Sequence, residues 1–227
     1  MTDRQVSNIP AGILESGPDD GKGVQMARAT PRRTAGRPAG DAPSARAEIL
    51  RVARRCFAES GYAATNVGDV VAAAGVTKPA LYHHFGNKAG LYAAAVTAAI
   101  DEIVAELERR VLPERRVLDR FEATIDVGIE FMRTDPTLAR LVSGLDDELA
   151  HHPELADLAD QAARIPALFA SMCDADDDLA APQADVALMF QAIVYGQMRM
   201  SARVDPDRYE RAANALRLLV RGELRRS

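Results

Sequence analysis

From Ser44 onward, apolar residues recur every three or four positions and never alternate over a useful length. That period belongs to helices, and it leaves no material for a sheet. Ile49, Val52, Ala53, Cys56 and Phe57 show it first, spaced so that all five share one helix face. Ser44 is placed to cap this helix, and Gly61 to end it by taking the left-handed conformation. A short second helix follows Thr65, carries Val67, Val70 and Val71, and stops at Gly75. Thr77 caps a third, with Pro79 in its first turn, where a missing N–H costs nothing. Asn87 caps a fourth that runs through Leu91, Val96, Ile100, Val104 and Leu107. The same rhythm, interrupted by proline or acidic residues, predicts further helices at about 114–133, 136–145, 153–173, 182–204 and 206–225. The expected class is all-α with about nine helices and no internal repeat.

Composition fits that class. Apolar residues are 48% of the 227, enough for a real core, yet aromatics are only 5% with no Trp. Such a core is built mostly from Ala, Leu, Val and Ile, which suits packed helices. Residues 1–43 differ: they hold eleven Gly and Pro and no lasting periodicity, so they read as a disordered arm. Within it, 22–40 is basic and free of acids, and includes Arg32, Arg33 and Arg37. A start at Met26 would leave a short, wholly basic arm. No apolar run approaches the ~18–20 residues that span a bilayer, and no signal peptide is read at the N-terminus. Cys56 and Cys173 are isolated, which argues against a disulfide scaffold or zinc finger. A cytoplasmic protein with no membrane partner is expected.

Net charge alone, −5, would argue against a nucleic-acid partner. Its distribution argues the other way: −3 over residues 1–21, +7 over 22–92 and −9 over 93–227. A basic segment ahead of an acidic body points toward nucleic acid, with the body held off the duplex and the basic end turned to it. The division expected is an arm (1–43), a DNA-binding head (44–92) and a helical body (93–227).

The stretch 65–91, TNVGDVVAAAGVTKPALYHHFGNKAGL, holds two short helices joined by a tight turn at Gly75. Val70, Ala74, Val76, Leu81 and Phe85 supply the apolar contacts that set their angle. A turn this tight needs a positive φ, which a β-carbon disfavours. This is helix-turn-helix geometry, in which the second helix enters the ~12 Å major groove. Residues 49–91 resemble the DNA-binding domain of the TetR (tetracycline repressor) family. The resemblance rests on Phe57, Gly61-Tyr62, Thr65, Ala74-Gly75-Val76-Thr77-Lys78, Leu81-Tyr82-His83-His84-Phe85, Asn87-Lys88 and Leu91. Two departures stand out: Pro79 follows Lys78 where Gly is common, and Ala89-Gly90 replaces a common Lys-Glu that would supply a capping partner.

The resemblance implies a role for each matching residue. Thr65 and Tyr82 fall where family members hold phosphates. Lys78, Pro79, Ala80 and His83 fall on the face that meets base edges, with Thr77 beside them at the helix start. His84 and Lys88 fall where the DNA backbone is contacted. Lysine at the groove reaches guanine O6 or N7, while Pro79 and Ala80 pack only on a thymine methyl. Arg32, Arg33 and Arg37 would add phosphate or minor-groove contacts. The resemblance also implies a body around a small apolar or amphipathic effector, with Phe131, Phe169, Met172, Gln191, Tyr195 and Met198 as candidate lining. The last two predicted helices are apolar on one face, through Val186, Met189, Phe190 and Ile193, then Leu216, Leu219 and Val220. A self-complementary face there would build a homodimer about a two-fold axis.

The implied partners are therefore a double-stranded operator, a second copy of the chain and an effector, with no cofactor and no metal. His83-His84 point about 100° apart on a helix and do not readily share an ion, and His151-His152 lack the i, i+4 spacing of a metalloprotease pair. No GxSxG, P-loop or GxGxxG motif suggests an enzyme. The expected function is a ligand-responsive repressor. The alternative is a DNA-architecture or interaction protein that uses the same head without an effector. A body pocket of ~300 Å³ is the feature expected to separate them.

Overall fold

The computed structural model describes residues 44–173, 180–201 and 203–224. The arm, with Arg32, Arg33 and Arg37, lies outside the described residues, as does the acidic break at 174–178. The helices are α1 (Ala45–Ala64), α2 (Val67–Ala74), α3 (Lys78–Phe85), α4 (Lys88–Arg110), α5 (Val117–Thr134), α6 (Pro136–Ser143) and α7 (Leu145–His151). A 3-10 turn (Pro153–Leu158) leads to α8 (Ala159–Ala162), α9 (Arg164–Met172), α10 (Gln183–Ser201) and α11 (Pro206–Val220). Among the described residues there is no strand, and nine helices have eight or more residues: α1–α6 and α9–α11.

Local chemistry explains where boundaries depart from expectation. Gly61 interrupts α1 rather than ending it: its φ is 75° and ψ 174°, and one more turn follows to Ala64. Asn66 caps α2, its side chain accepting the Gly68 N–H at 2.7 Å. The single helix expected over 153–173 is three pieces. Pro166 lacks the N–H that would bond Ala162 and its ring crowds that carbonyl, so the path breaks at Ala163 and restarts as α9. The helix expected at 136–145 stops at Ser143, and α7 begins beyond Gly144.

The core follows the periodic residues. Ile49, Val52, Ala53 and Phe57 of α1 are buried, as are Val70, Leu81 and Phe85 of the turn region. Phe57, Tyr62 and Tyr92 form an edge-on aromatic cluster, with Tyr92 4.9 Å from Phe57 and 5.1 Å from Tyr62 between ring centroids. Fully burying each such side chain contributes roughly 1.5–3 kcal/mol. Helix α4 carries the chain unbroken across position 92, and its buried residues, from Leu91 to Leu107, join α1 and the later helices in one apolar cluster. Arg120 is buried too, and its guanidinium donates to the carbonyls of Glu114 (2.7 Å), Met172 (2.6 Å) and Leu112 (3.3 Å). A cation among carbonyls at the C-terminus of α9 also suits the helix dipole.

Candidate nucleic-acid interface and effector cavity

Capping aims α3. Gly75 takes φ 64°, ψ 29°, which closes α2. Thr77 then accepts the Ala80 N–H at 3.3 Å and Pro79 starts the first turn. Leu81 and Phe85 turn inward. Lys78, Pro79, Tyr82, His83 and His84 are thereby left exposed, Ala80 half-buried, and Thr77 exposed at the helix start. The rings of His83 and His84 lie 5.5 Å apart at 62°. One face of one helix thus gathers a cation, two imidazoles, a phenol and small apolar groups, the mixture that reads base edges and phosphates.

Two expected DNA contacts are placed differently. Thr65 is buried, and its hydroxyl donates inward to the Gly61 carbonyl at 2.7 Å, with the Cys56 carbonyl at 3.2 Å. Its hydroxyl proton is committed to closing the end of α1. Asn66 occupies the exposed position beside it. Lys88 is half-buried, donates to the Ala63 carbonyl at 2.9 Å and lies 4.8 Å from the centroid of the Tyr62 ring. It ties the end of α1 to the start of α4 and has only its remaining N–H groups for DNA. Periodicity and motif gave no sign of Arg46, which lies 5.4 Å over the Phe85 ring at the base of α3.

A junction between α1 and α7 was also missed. Glu148 of α7 accepts the Tyr62 N–H at 2.8 Å through Oε1, and its Oε2 lies 3.3 Å from His152 Nε2. His152 in turn sits edge-on to Tyr62 at 4.8 Å, with its Nδ1 3.7 Å from Glu154. The positive φ at Gly61 presents the Tyr62 N–H to this carboxylate. A side chain at 61 would place its β-carbon 2.9 Å from Glu148 Oε1. Lys88, Tyr62, His152 and Glu148 thus join the DNA-facing end of the chain to the later helices. Among the described residues, no group of His, Cys, Asp and Glu side chains is arranged to hold a metal ion.

In the later helices, Phe131, Phe169 and Met198 line an internal cavity with Leu107, Met132 and Tyr209. Its volume is about 50 Å³, room for one or two waters and well below the pocket expected, because the Met and Phe side chains fill the space themselves. Met172, Gln191 and Tyr195 do not line this cavity. Met172 is buried in the core. Tyr195 is half-buried and hydrogen-bonded to Gln191, and burial pushes its phenol up, as does the charge of Asp146.

Of the expected dimer face, Phe190 is buried, edge-on to Phe121 at 4.9 Å and Phe169 at 5.3 Å, and forms part of the floor of a surface groove. Val186, Ile193 and Val220 border a shallow surface groove beside Leu118. Met189 and Leu219 are 58% and 57% exposed, Leu188 and Leu218 join them, and Leu216 is half-buried. Among the described residues, no helix is long and apolar enough to cross a membrane.

Residues 49–95 match the family described as bacterial regulatory proteins, tetR family. The transcriptional repressor AcnR of Corynebacterium glutamicum is 36% identical over 107 residues, 43% of this chain and 56% of that protein. The transcriptional activator FasR of Mycolicibacterium smegmatis is 27% identical over 111 residues, 49% of this chain and 50% of its own. The chain therefore spans about half the length of the relatives it matches. The solved ketosteroid transcriptional regulator KstR2 of Mycobacterium tuberculosis shares the fold, with a TM-score of 0.61 at 20% identity over 84% of this chain and all of that one. Motif, capped helix-turn-helix and matching profile agree: residues 49–95 are a DNA-binding region of the kind found in the tetR family of bacterial regulatory proteins.

Proposed function

We propose that the chain is a sequence-specific DNA-binding transcriptional regulator of the cytoplasm, a homodimeric repressor released by a small apolar or amphipathic effector. The observation that carries this is α3: a capped helix, fixed from behind by Leu81 and Phe85, that presents Lys78, Tyr82, His83 and His84 outward. The exposed apolar stripe of Leu188, Met189, Leu218 and Leu219 on α10 and α11 supports pairing of two copies. A two-fold pair would set its two α3 helices into successive major grooves, ~34–36 Å apart, on a palindromic site. The name of AcnR supports repression. At about 50 Å³ the cavity falls on the effector-independent side of the ~300 Å³ criterion, so effector release requires a second body state in which the cavity is wider and the α3 helices are wrongly spaced for DNA.

The test is selection of bound fragments from random DNA at ~150 mM salt, followed by a salt titration of the recovered site. A palindrome with at least ~10³-fold preference over random DNA is expected. No enrichment, with binding that disappears as salt rises, would sink the reading. On the recovered site, Lys78→Ala is expected to weaken binding and to relax the preference for guanine at the base it meets, a change of about 1–3 kcal/mol. His83→Ala is expected to relax base preference at one position per half-site, a change of about 1–3 kcal/mol. Binding profiles unchanged in both variants would show that α3 is not the reading helix.

A further inference from the structure

Three hydroxyls border the cavity between α4, α5, α9, α10 and α11: those of Thr124, Ser201 and Tyr209. Two have spent their protons. Thr124 donates to the Arg120 carbonyl at 2.9 Å, and Ser201 to the Met198 carbonyl at 2.6 Å. Tyr209 is different. It is 97% buried, being only 3% exposed, and its hydroxyl has no hydrogen-bond partner among the described residues. Burial pushes its phenol up to about 12, so it stays protonated and remains a donor at any ordinary pH. The hydroxyl lies over Gly128, where a β-carbon would come within 2.9 Å of it. Gly128 therefore keeps that stretch of the α5 wall open beside the hydroxyl. The hydroxyl is not among the sealed, unpartnered side-chain atoms of the described residues, which are Arg140 Nε and Arg217 Nε, so it keeps access to the cavity and can serve an acceptor that enters it.

The rest of the wall limits what can supply the acceptor. It is apolar, and no charged side chain lines it. A carboxylate would accept from Tyr209 but would leave water with no counter-charge, and an ammonium group would meet no anion and offer no acceptor; both are costly. A neutral carbonyl meets neither penalty. The free volume of about 50 Å³ holds only a few heavy atoms, so a larger occupant must displace side chains. Phe131 and Met198 are half-buried rather than locked in the core, and methionine repacks readily.

We propose that Tyr209 is the polar anchor of a ligand site in this cavity, and that the site takes a neutral, apolar molecule carrying a carbonyl acceptor. The inference rests on the effector control proposed above. Thr124 and Ser201 keep lone pairs but no free proton, so Tyr209 is the donor that orients the ligand. The occupant presses on Phe131 and Met198, and thereby on α5 and α10.

The experiment uses the full-length protein, wild type and Tyr209→Phe, with four probes that share one ring: cyclohexanone, methylcyclohexane, cyclohexanecarboxylate and cyclohexylamine. Without any probe, Tyr209→Phe is expected to melt at the same temperature as wild type or higher, because it removes a hydroxyl with no protein partner among the described residues without changing the ring. A fall of several degrees would mean the hydroxyl already has a structural partner, and would overturn the proposal. By calorimetry, cyclohexanone is expected to bind wild type in the millimolar range and Tyr209→Phe about five- to tenfold more weakly. Methylcyclohexane should not distinguish the two proteins, and the two charged probes should not bind. Absence of cyclohexanone binding, equal binding to both proteins, or equal binding of a charged probe would each overturn it.

Adding each probe to the complex with the selected operator separates the two readings. Tyr209-dependent binding of cyclohexanone that leaves the operator complex intact keeps the site and sinks effector control. Release by a charged probe, with no cyclohexanone binding, keeps effector control and sinks the Tyr209 site.

Discussion

Gly90→Ala is expected to destabilise the protein and abolish most specific DNA binding, although alanine is the better helix former by about 1 kcal/mol. Gly90 lies in the first turn of α4, where its N–H is accepted by the Asn87 side chain at 2.7 Å. A β-carbon there would fall 2.1 Å from the Phe85 carbonyl oxygen, at the end of α3. Ordinary carbon–oxygen contact is more than 1 Å longer, and the obstacle is backbone, so α3 or the first turn of α4 must move. The expected cost is about 1–3 kcal/mol of stability, typical of overpacking. The DNA effect should be larger. Displacing α3 misplaces every base contact it makes, each worth roughly 1–3 kcal/mol, so specific affinity should fall at least about tenfold while weak non-specific binding persists. Circular-dichroism melting and fluorescence anisotropy on the selected site check both halves. A variant that melts higher and binds normally would mean that this close approach is not fixed.

Glu148→Ala is the second large effect, and it tests the junction between α1 and α7. Truncation leaves the Tyr62 N–H without its acceptor in a part-buried setting, at a cost of about 1–3 kcal/mol. It also removes one of the two carboxylates beside His152, leaving Glu154 at 3.7 Å. The last turn of α1, freed at Gly61, should then fray, and Lys88 should lose the fixed carbonyl of Ala63 on which it rests. Hydrogen exchange at the Tyr62 amide should quicken by at least about tenfold, and operator affinity should fall with it. Glu148→Gln keeps an acceptor oxygen at the same reach and should restore both. If the alanine variant leaves Tyr62 protected, the carboxylate is not what holds that turn. If alanine and glutamine variants behave alike, charge rather than the hydrogen bond is the active feature.

Much of the DNA-facing site was legible because its signals are local. Asn87 and Thr77 cap helices through side chains that reach only two or three residues along the chain. Gly75 reverses the chain within its own turn, and Leu81 and Phe85 stand on the inner face by helical spacing alone. The inward turn of Thr65 was not legible, although its cause is also local. Threonine and asparagine are both good caps, and one residue of register decides which is used. Here Thr65 turns inward to the Gly61 carbonyl, and Asn66 takes the cap. Pro166 was visible in the sequence, and its break in the helix expected over 153–173 follows from its missing N–H.

The later helices were less legible, because amphipathic spacing says that a face is buried but not against what. Phe190 and Met189 are neighbours in sequence and equally apolar, yet Phe190 fills the core against Phe121 and Phe169 while Met189 stands 58% exposed. Met198 reaches the cavity wall and Met172 does not, although both are methionines on apolar faces.

Local sequence dictates the helical class, the turn at Gly75, the caps on α3 and α4 and the outward face of α3. All of these depend on hydrogen bonds and sterics between residues a few positions apart. Longer-range packing sets that Glu148 reaches the Tyr62 N–H and that the Tyr209 hydroxyl lies over Gly128. Each of those follows from an approach between separate helices, set by how their apolar faces close-pack, and no pattern along a single helix encodes that distance.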